Sequence, residues 1–130
     1  MLDSKTIAIV GANQTQFEHC RKCFQPHVCV DVPAKKANID QLALDHDLNL
    51  ALVYTRKTQS DTLDVCDRIR RNPSTMLTPM LLVADYLDVV SIFIAKKAGH
   101  AAVITHPFDS EDLADSVELL EEMTTRNIAR

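Results

Sequence analysis

The sequence predicts an α/β domain in which a five-stranded parallel sheet carries helices on both faces. Short β-rich apolar runs alternate with amphipathic stretches five times, and strict alternation of strand and helix gives parallel strands joined by right-handed crossovers. The run Leu48-Asn49-Leu50-Ala51-Leu52-Val53-Tyr54 contains neither Gly nor Pro and is bounded by polar sequence, the pattern of a central buried strand. At 130 residues the chain suits a single domain spanning 1–130, long enough for a full hydrophobic core.

The elements follow in order. Thr6-Ile7-Ala8-Ile9-Val10 is a β-rich run closed by Gly11, and Asn13 or Thr15 can cap the helix that follows. That helix sets Phe17, Cys20 and Phe24 on one face and stops at Pro26. Val28 to Val32 is the second strand, ended by Pro33, and Ala34 to Asp47 holds a helix with Ile39, Leu42 and Ala43 sharing a face and Asp40, Gln41 and Asp45 outward. Tyr54 closes the central strand and leads into the polar loop Thr55-Arg56-Lys57-Thr58-Gln59-Ser60, at the carboxyl end where open parallel sheets present their chemistry. Asp61 can cap the third helix, with Leu63, Val65, Cys66 and Ile69 inward and Asp67, Arg68, Arg70 and Arg71 in water. Thr78 to Ala84 is a further apolar strand, with Pro79 tolerable only near its start. Leu87, Val90, Ile94 and Ala98 then line one helical face, and Gly99 suits the C′ position. After the short strand Ala101 to Ile104, Ser110 or Asp109 caps a terminal helix facing inward with Leu113, Val117, Leu120 and Met123.

Composition narrows the function classes. A hydrophobic fraction of 46% with 25% charged residues is that of an ordinary globular domain, and no apolar run approaches the roughly 18 residues of a membrane span. The N-terminus leads straight into a strand-like run without the basic-then-apolar order of a signal peptide, which predicts a cytoplasmic protein. A net charge of −4 and short basic clusters argue against direct nucleic-acid binding. The four cysteines are expected as reduced thiols, since the core does not depend on disulfides. Cys20 and Cys23, with His19, His27 and Cys29 nearby, have a spacing known from zinc sites. Against that, Cys23 points about 60° away from Cys20 on a helical wheel, which favours packed or exposed thiols.

Two segments carry more than architecture. Leu63-Asp64-Val65-Cys66-Asp67-Arg68-Ile69-Arg70 and Ala98-Gly99-His100-Ala101-Ala102-Val103-Ile104-Thr105-His106-Pro107-Phe108-Asp109 resemble the receiver domain of two-component response regulators, the CheY-like family. The resemblance runs from about Thr6 to Glu122 without a large insertion. It implies a three-layer, flavodoxin-like (βα)5 fold of strand order 2-1-3-4-5, and a cis bond before Pro107.

The same resemblance implies a phosphoryl-transfer site that these residues do not supply. The positions of the two Mg²⁺-holding acids are Gly11 and Ala12, and the phospho-accepting aspartate falls on Tyr54. A phenol with an ordinary pKa near 10 does not replace a carboxylate nucleophile. The Thr or Ser position falls on Ala84, the switch aromatic on Val103 and the lysine on His106. Mg²⁺ binding and catalysis are therefore not expected, and Tyr54 is expected to fill the vacated volume with its ring.

The resulting expectation is a phosphorylation-independent, pseudo-receiver domain that mediates protein–protein contact or dimerisation in bacterial signalling. By resemblance the interface lies on the fourth helix, fifth strand and fifth helix, with Leu87, Val90, Ile94, Val103, Leu113, Val117 and Leu120 as candidates. The terminal helix, with its acidic run Glu118-Leu119-Leu120-Glu121-Glu122, can serve a partner helix or a linker to an output domain. An alternative is a small-molecule sensor using the modified pocket around Asn13, Tyr54, Ala84 and His106. His106 itself reads either as a pH-sensitive proton donor or as a spacer before proline, and Asp85 and Asp109 as caps or solvated charges.

Overall fold

The computed structural model describes residues 5–33, 39–55, 59–85, 89–99 and 101–128. Its elements are β1 (Thr6–Val10), α1 (Gln14–Cys23), β2 (Val28–Val32), α2 (Ile39–Asp45), β3 (Leu48–Tyr54), α3 (Gln59–Arg71), β4 (Met80–Ala84), α4 (Val89–Ala98), β5 (Ala101–Thr105) and α5 (Ser110–Ile128). The strands form one parallel sheet in the order β2-β1-β3-β4-β5, as the three-layer (βα)5 expectation requires. No helix among the described residues is long and apolar enough to cross a membrane.

Alternation along the strands sorts the core into two layers. Ile7, Ile9, Leu50, Leu52, Tyr54, Leu81 and Val83 pack with Cys20 and Phe24 near α1 and with Leu113 and Leu120 of α5. Ala8, Val10, Ala51, Val53, Met80 and Leu82 pack on the other face with Ile39 and Leu42 of α2, Val65, Cys66 and Ile69 of α3, and Ile94 of α4. From Leu50 to Tyr54 β3 contributes to both layers, so the apolar run there is what its position demands.

Local signals set the helix ends. Asn13 and Gln16 form a reciprocal capping box at α1, with Gln16 N donating to Asn13 Oδ1 at 2.8 Å and Asn13 N donating to Gln16 Oε1 at 2.9 Å. Asp109 and Asp112 repeat the device at α5, at 2.8 and 3.1 Å, which makes Asp109 a cap. Gly99 follows α4 with φ of +70°, in the left-handed region where a side chain is strained. Both Gln25–Pro26 and His106–Pro107 are cis.

Several helix faces differ from the sequence reading. α3 begins at Gln59, so Asp61 lies inside the helix and does not cap it. Its buried stripe is Thr62, Val65, Cys66 and Ile69, while Leu63 is 38% exposed. The spacing i, i+3, i+4, i+7 is kept, but it starts on a threonine that hydrophobicity overlooks. β4 starts at Met80, two residues later than expected. α4 is apolar almost all round, so its sequence does not define a face; Ser91, Ile94 and Ala95 are the buried residues, and Val90 lies at the surface. Ile94, Leu113 and Leu120 point into the core and are not available as interface residues. Val103 and Val117 are half-buried against the same layers, and Leu87 lies outside the described residues.

The largest departure is Arg70, expected in water. Its guanidinium is half-buried and donates from Nε to Ala98 O at 2.8 Å, from Nη2 to Gly99 O at 2.6 Å and from Nη1 to Thr78 O at 2.8 Å. The last carbonyls of a helix have no partner within it, and this planar fork reaches those closing α4 from α3. Replacing Arg70 with Met is expected to lower the unfolding free energy by about 2–3 kcal/mol, because charged hydrogen bonds to otherwise unpaired carbonyls are lost. Arg70→Lys should recover only part of it. A urea midpoint unchanged in the Met variant would show that the fork carries no stability.

Candidate functional site

The carboxyl ends of β1, β3, β4 and β5 form the edge where the sequence locates a receiver's chemistry. Pairing of Val10 with Val53, Tyr54 with Val83 and Ala84 with Thr105 brings Gly11, Tyr54, Ala84 and His106 out at this edge. Gly11 turns the chain at φ of +77° while its N–H donates to Val32 O at 2.9 Å. His106 N donates to Ala84 O at 2.7 Å, which anchors the turn before Pro107 to β4.

Tyr54 is turned inward and is 6% exposed. Its phenol enters the layer of α1 and α5 and meets Cys20 Sγ at 3.1 Å, an O–H and S–H pair in which either group can donate. Burial pushes the phenol well above its ordinary value of 10.0, and the bond to Cys20 pushes the same way. Burial likewise raises the Cys20 thiol from 9.0 to about 11, only partly offset by its bond to Tyr54. Both groups are neutral in neutral water, so the contact packs two weak acids and stores no charge.

The residues present do not fit a receiver's metal. Gly11 has no side chain and Ala12 offers a half-buried methyl packed on the α1 and α5 layer. Hard divalent cations take carboxylate or carbonyl oxygens, and a neutral buried phenol pointing away toward Cys20 is not a substitute. Among the described residues no three His, Cys, Asp or Glu side chains are grouped to hold a metal ion. Asp109 is committed to the α5 cap and Asp85 is exposed.

The other singled-out positions are structural in their contacts. Asn13 uses its side chain for the α1 cap, Ala84 is 3% exposed, and Val103 pairs opposite Leu82, deeper in the sheet than the edge row. With Tyr54 and Ala84 buried, two of the four walls expected of a small-molecule pocket here present no surface. His106 stands edge-on to Phe108, ring centroids 6.2 Å apart, and its buried Nδ1 has no hydrogen-bond partner among the described residues. His19 Nε2 lies 2.7 Å from Phe108 O and 3.7 Å from Cys23 Sγ, so this histidine ties α1 to the β5–α5 turn. All four cysteines are free thiols, with Cys20 and Cys66 buried. Cys20 on the apolar face of α1 was legible in the sequence; its pairing with Tyr54, 34 residues away, was not.

Removing the phenolic oxygen by Tyr54→Phe is expected to cost about 1 kcal/mol, and Tyr54→Ala about 3–5 kcal/mol through the cavity it leaves. Chemical denaturation of both variants checks this, and an Ala variant as stable as the parent would contradict a packed ring. Tyr54 and Cys20 hold their protons more tightly when folded, so their stabilisation is complete below the unfolded values and is lost as pH rises. Thermal midpoints should therefore be insensitive to these two groups at neutrality and fall from about pH 9 upward; a midpoint that climbs over that range would contradict the buried pair.

No family model matches the chain, and no curated protein matches it. Solved structures do. Chemotaxis protein CheY4 of Vibrio cholerae superposes with a TM-score of 0.78 at 12% identity, covering 91% of this chain and 99% of its own. A CheY-like response regulator receiver domain protein from Methanospirillum hungatei JF-1 gives 0.74 at 17% identity, over 95% and 99%. The signal receiver domain of a modulated diguanylate cyclase from Desulfovibrio desulfuricans G20 gives 0.73 at 16% identity, over 96% and 99%. At such identities the likeness is one of architecture, and it extends across nearly the whole of each partner. The chain has the fold of the CheY-like response-regulator receiver domains.

Proposed function

We propose that the chain is a phosphorylation-independent receiver domain, a non-enzymatic cytoplasmic module that mediates protein–protein contact in signal transduction. The observation that carries this is Tyr54: the strand end where an acceptor carboxylate belongs holds a buried, neutral phenol bonded to Cys20. Without a carboxylate there is no acyl phosphate to form, and without acids at Gly11 and Ala12 there is no reason to recruit Mg²⁺.

Contact then depends on surface alone. α4 exposes Val89, Ile92 and Phe93, at 82%, 38% and 57%, with Lys97 Nζ 5.9 Å from the Phe93 ring centroid. Beside it a shallow, mainly apolar cleft of about 400 Å³ is floored by Ala101 and Val103 of the edge strand β5 and walled by Ile92, Lys96 and Met123. On the side of α5 that carries Met123, helical spacing adds an exposed Leu119 and the exposed acids Asp115 and Glu122. A basic, apolar α4 beside an acidic α5 is self-complementary under a two-fold axis, which sets α4 of one copy against α5 of the other. This favours a homodimer through α4, β5 and α5, or an output domain on the same face. Receiver domains from the diguanylate cyclase and from an HD domain-containing protein of Pseudomonas fluorescens Pf-5 share the fold.

Incubation with acetyl phosphate and Mg²⁺, followed by intact-mass measurement, is expected to leave the mass unchanged; a labile adduct on an aspartate would overturn the proposal. Sedimentation over a range of concentrations should show self-association that Phe93→Asp weakens at least about tenfold, the loss typical of a central aromatic contact. A monomer at every concentration that also captures no output domain would remove the interface.

A further inference from the structure

A pair of thiols lies between α1 and the edge strand β2. The helix returns antiparallel to the parallel strands β1 and β2, and the turn that follows it is closed by His27 N–H donating to Phe24 O at 2.8 Å. Cys20 lies four residues before Phe24, about 6 Å down the helix axis, and Cys29 two residues past His27, about 7 Å back along the strand. The steeper rise of the strand thus brings these two residues level across the α1–β2 interface. Both face it. Cys20 is fully buried under α1, and Cys29 stands opposite Ile7 in register and packs on the same layer. Burial is what chiefly raises the Cys20 thiol, and among the neighbouring thiols Cys29 adds more to that rise than Cys23.

The other cysteines are placed differently. Cys66 packs on the opposite face of the sheet. Cys23 follows Cys20 by one helical turn, with its Sγ 3.7 Å from His19 Nε2. Positions so spaced on a helix hold their Cβ atoms about 5–6 Å apart, wider than the roughly 4 Å of a disulfide. We propose that Cys20 and Cys29 form a reversible disulfide that staples α1 to β2 and takes from Tyr54 its hydrogen-bond partner. Cys29, half-exposed on the edge strand, is the thiol that a small disulfide reaches. Its thiolate attacks one sulfur of that disulfide and expels one thiolate; Cys20 then attacks the Cys29 sulfur, and its proton passes to the second thiolate as it leaves. Two protein thiols are oxidised, and one small disulfide is reduced to two thiols. Burial slows the first step by raising the Cys29 thiol, an effect that the Arg21 guanidinium opposes. The 3.1 Å contact of Cys20 with Tyr54 is lost as an S–H and O–H pair, because a disulfide sulfur has no proton to donate and accepts weakly. In a reducing compartment such a bond is transient and reports the thiol state. The pairing rests on how α1 meets β2 and stands apart from the question of phosphorylation.

The folded chain, equilibrated with oxidised glutathione and quenched with acid, is expected to lose the mass of two hydrogen atoms. Tandem mass spectrometry of its peptides should then show Cys20 joined to Cys29, in a bond that dithiothreitol opens. Cys23→Ser should behave as the parent. Cys29→Ser should form no intramolecular bond, and Cys20→Ser should stop at one glutathionyl group on Cys29, with circular dichroism checking that each variant is folded. Tyr54→Phe should lower the denaturation midpoint of the oxidised chain by less than half as much as that of the reduced chain. No intramolecular bond in the parent chain, a bond between any other pair, or an equal loss from Tyr54→Phe in both states would overturn the proposal. The peptides of the parent chain decide the pairing even where a variant does not fold.

Discussion

Everything in this molecule follows from covering both faces of a parallel sheet. Parallel strands need crossovers, the crossovers are helices, and a strand in the middle has no side chain that faces water along its run. β3 meets this demand with six buried residues, divided between two layers, and only Asn49 near its start is exposed. The sheet surface is then closed to solvent, and polar chemistry has only the two sheet edges on which to act.

At the carboxyl edge that freedom is given up. A carboxylate at the end of β3 would have to stay at the rim, since burial of an unpaired charge is costly. A tyrosine can go the other way, because an apolar ring with one hydroxyl is stabilised by packing once the hydroxyl finds a partner. Cys20 is that partner, and the pair joins α1 to the centre of the sheet. The position thus serves as a point of cohesion between two elements.

The sequence made the architecture readable because periodicity and punctuation agree: each strand is a compact apolar run, and the caps at Asn13 and Asp109 stand where helices begin. The site positions were assigned by register along the chain, and the structure brings Gly11, Tyr54, Ala84 and His106 to one edge of the sheet. What stayed hidden depends on side chains meeting across space. Arg70 carries the same charge as Arg71 next to it, and nothing local tells that one reaches the α4 carbonyls while the other stays on the surface. Thr62 and Leu63 exchanged roles because burial follows helix geometry first and hydrophobicity second. α4 was the hardest, as a helix apolar on most sides does not say which side is covered.

The fork of Arg70 has a bearing on how such a protein informs its partners. By gripping Ala98 and Gly99 it pins the far end of α4 to α3 and to the turn before β4, so the apolar residues of that helix are displayed on a framework held from behind. Under the proposed function, a partner would meet the same relief at every encounter, and recognition would be a standing address written in the identity of the residues.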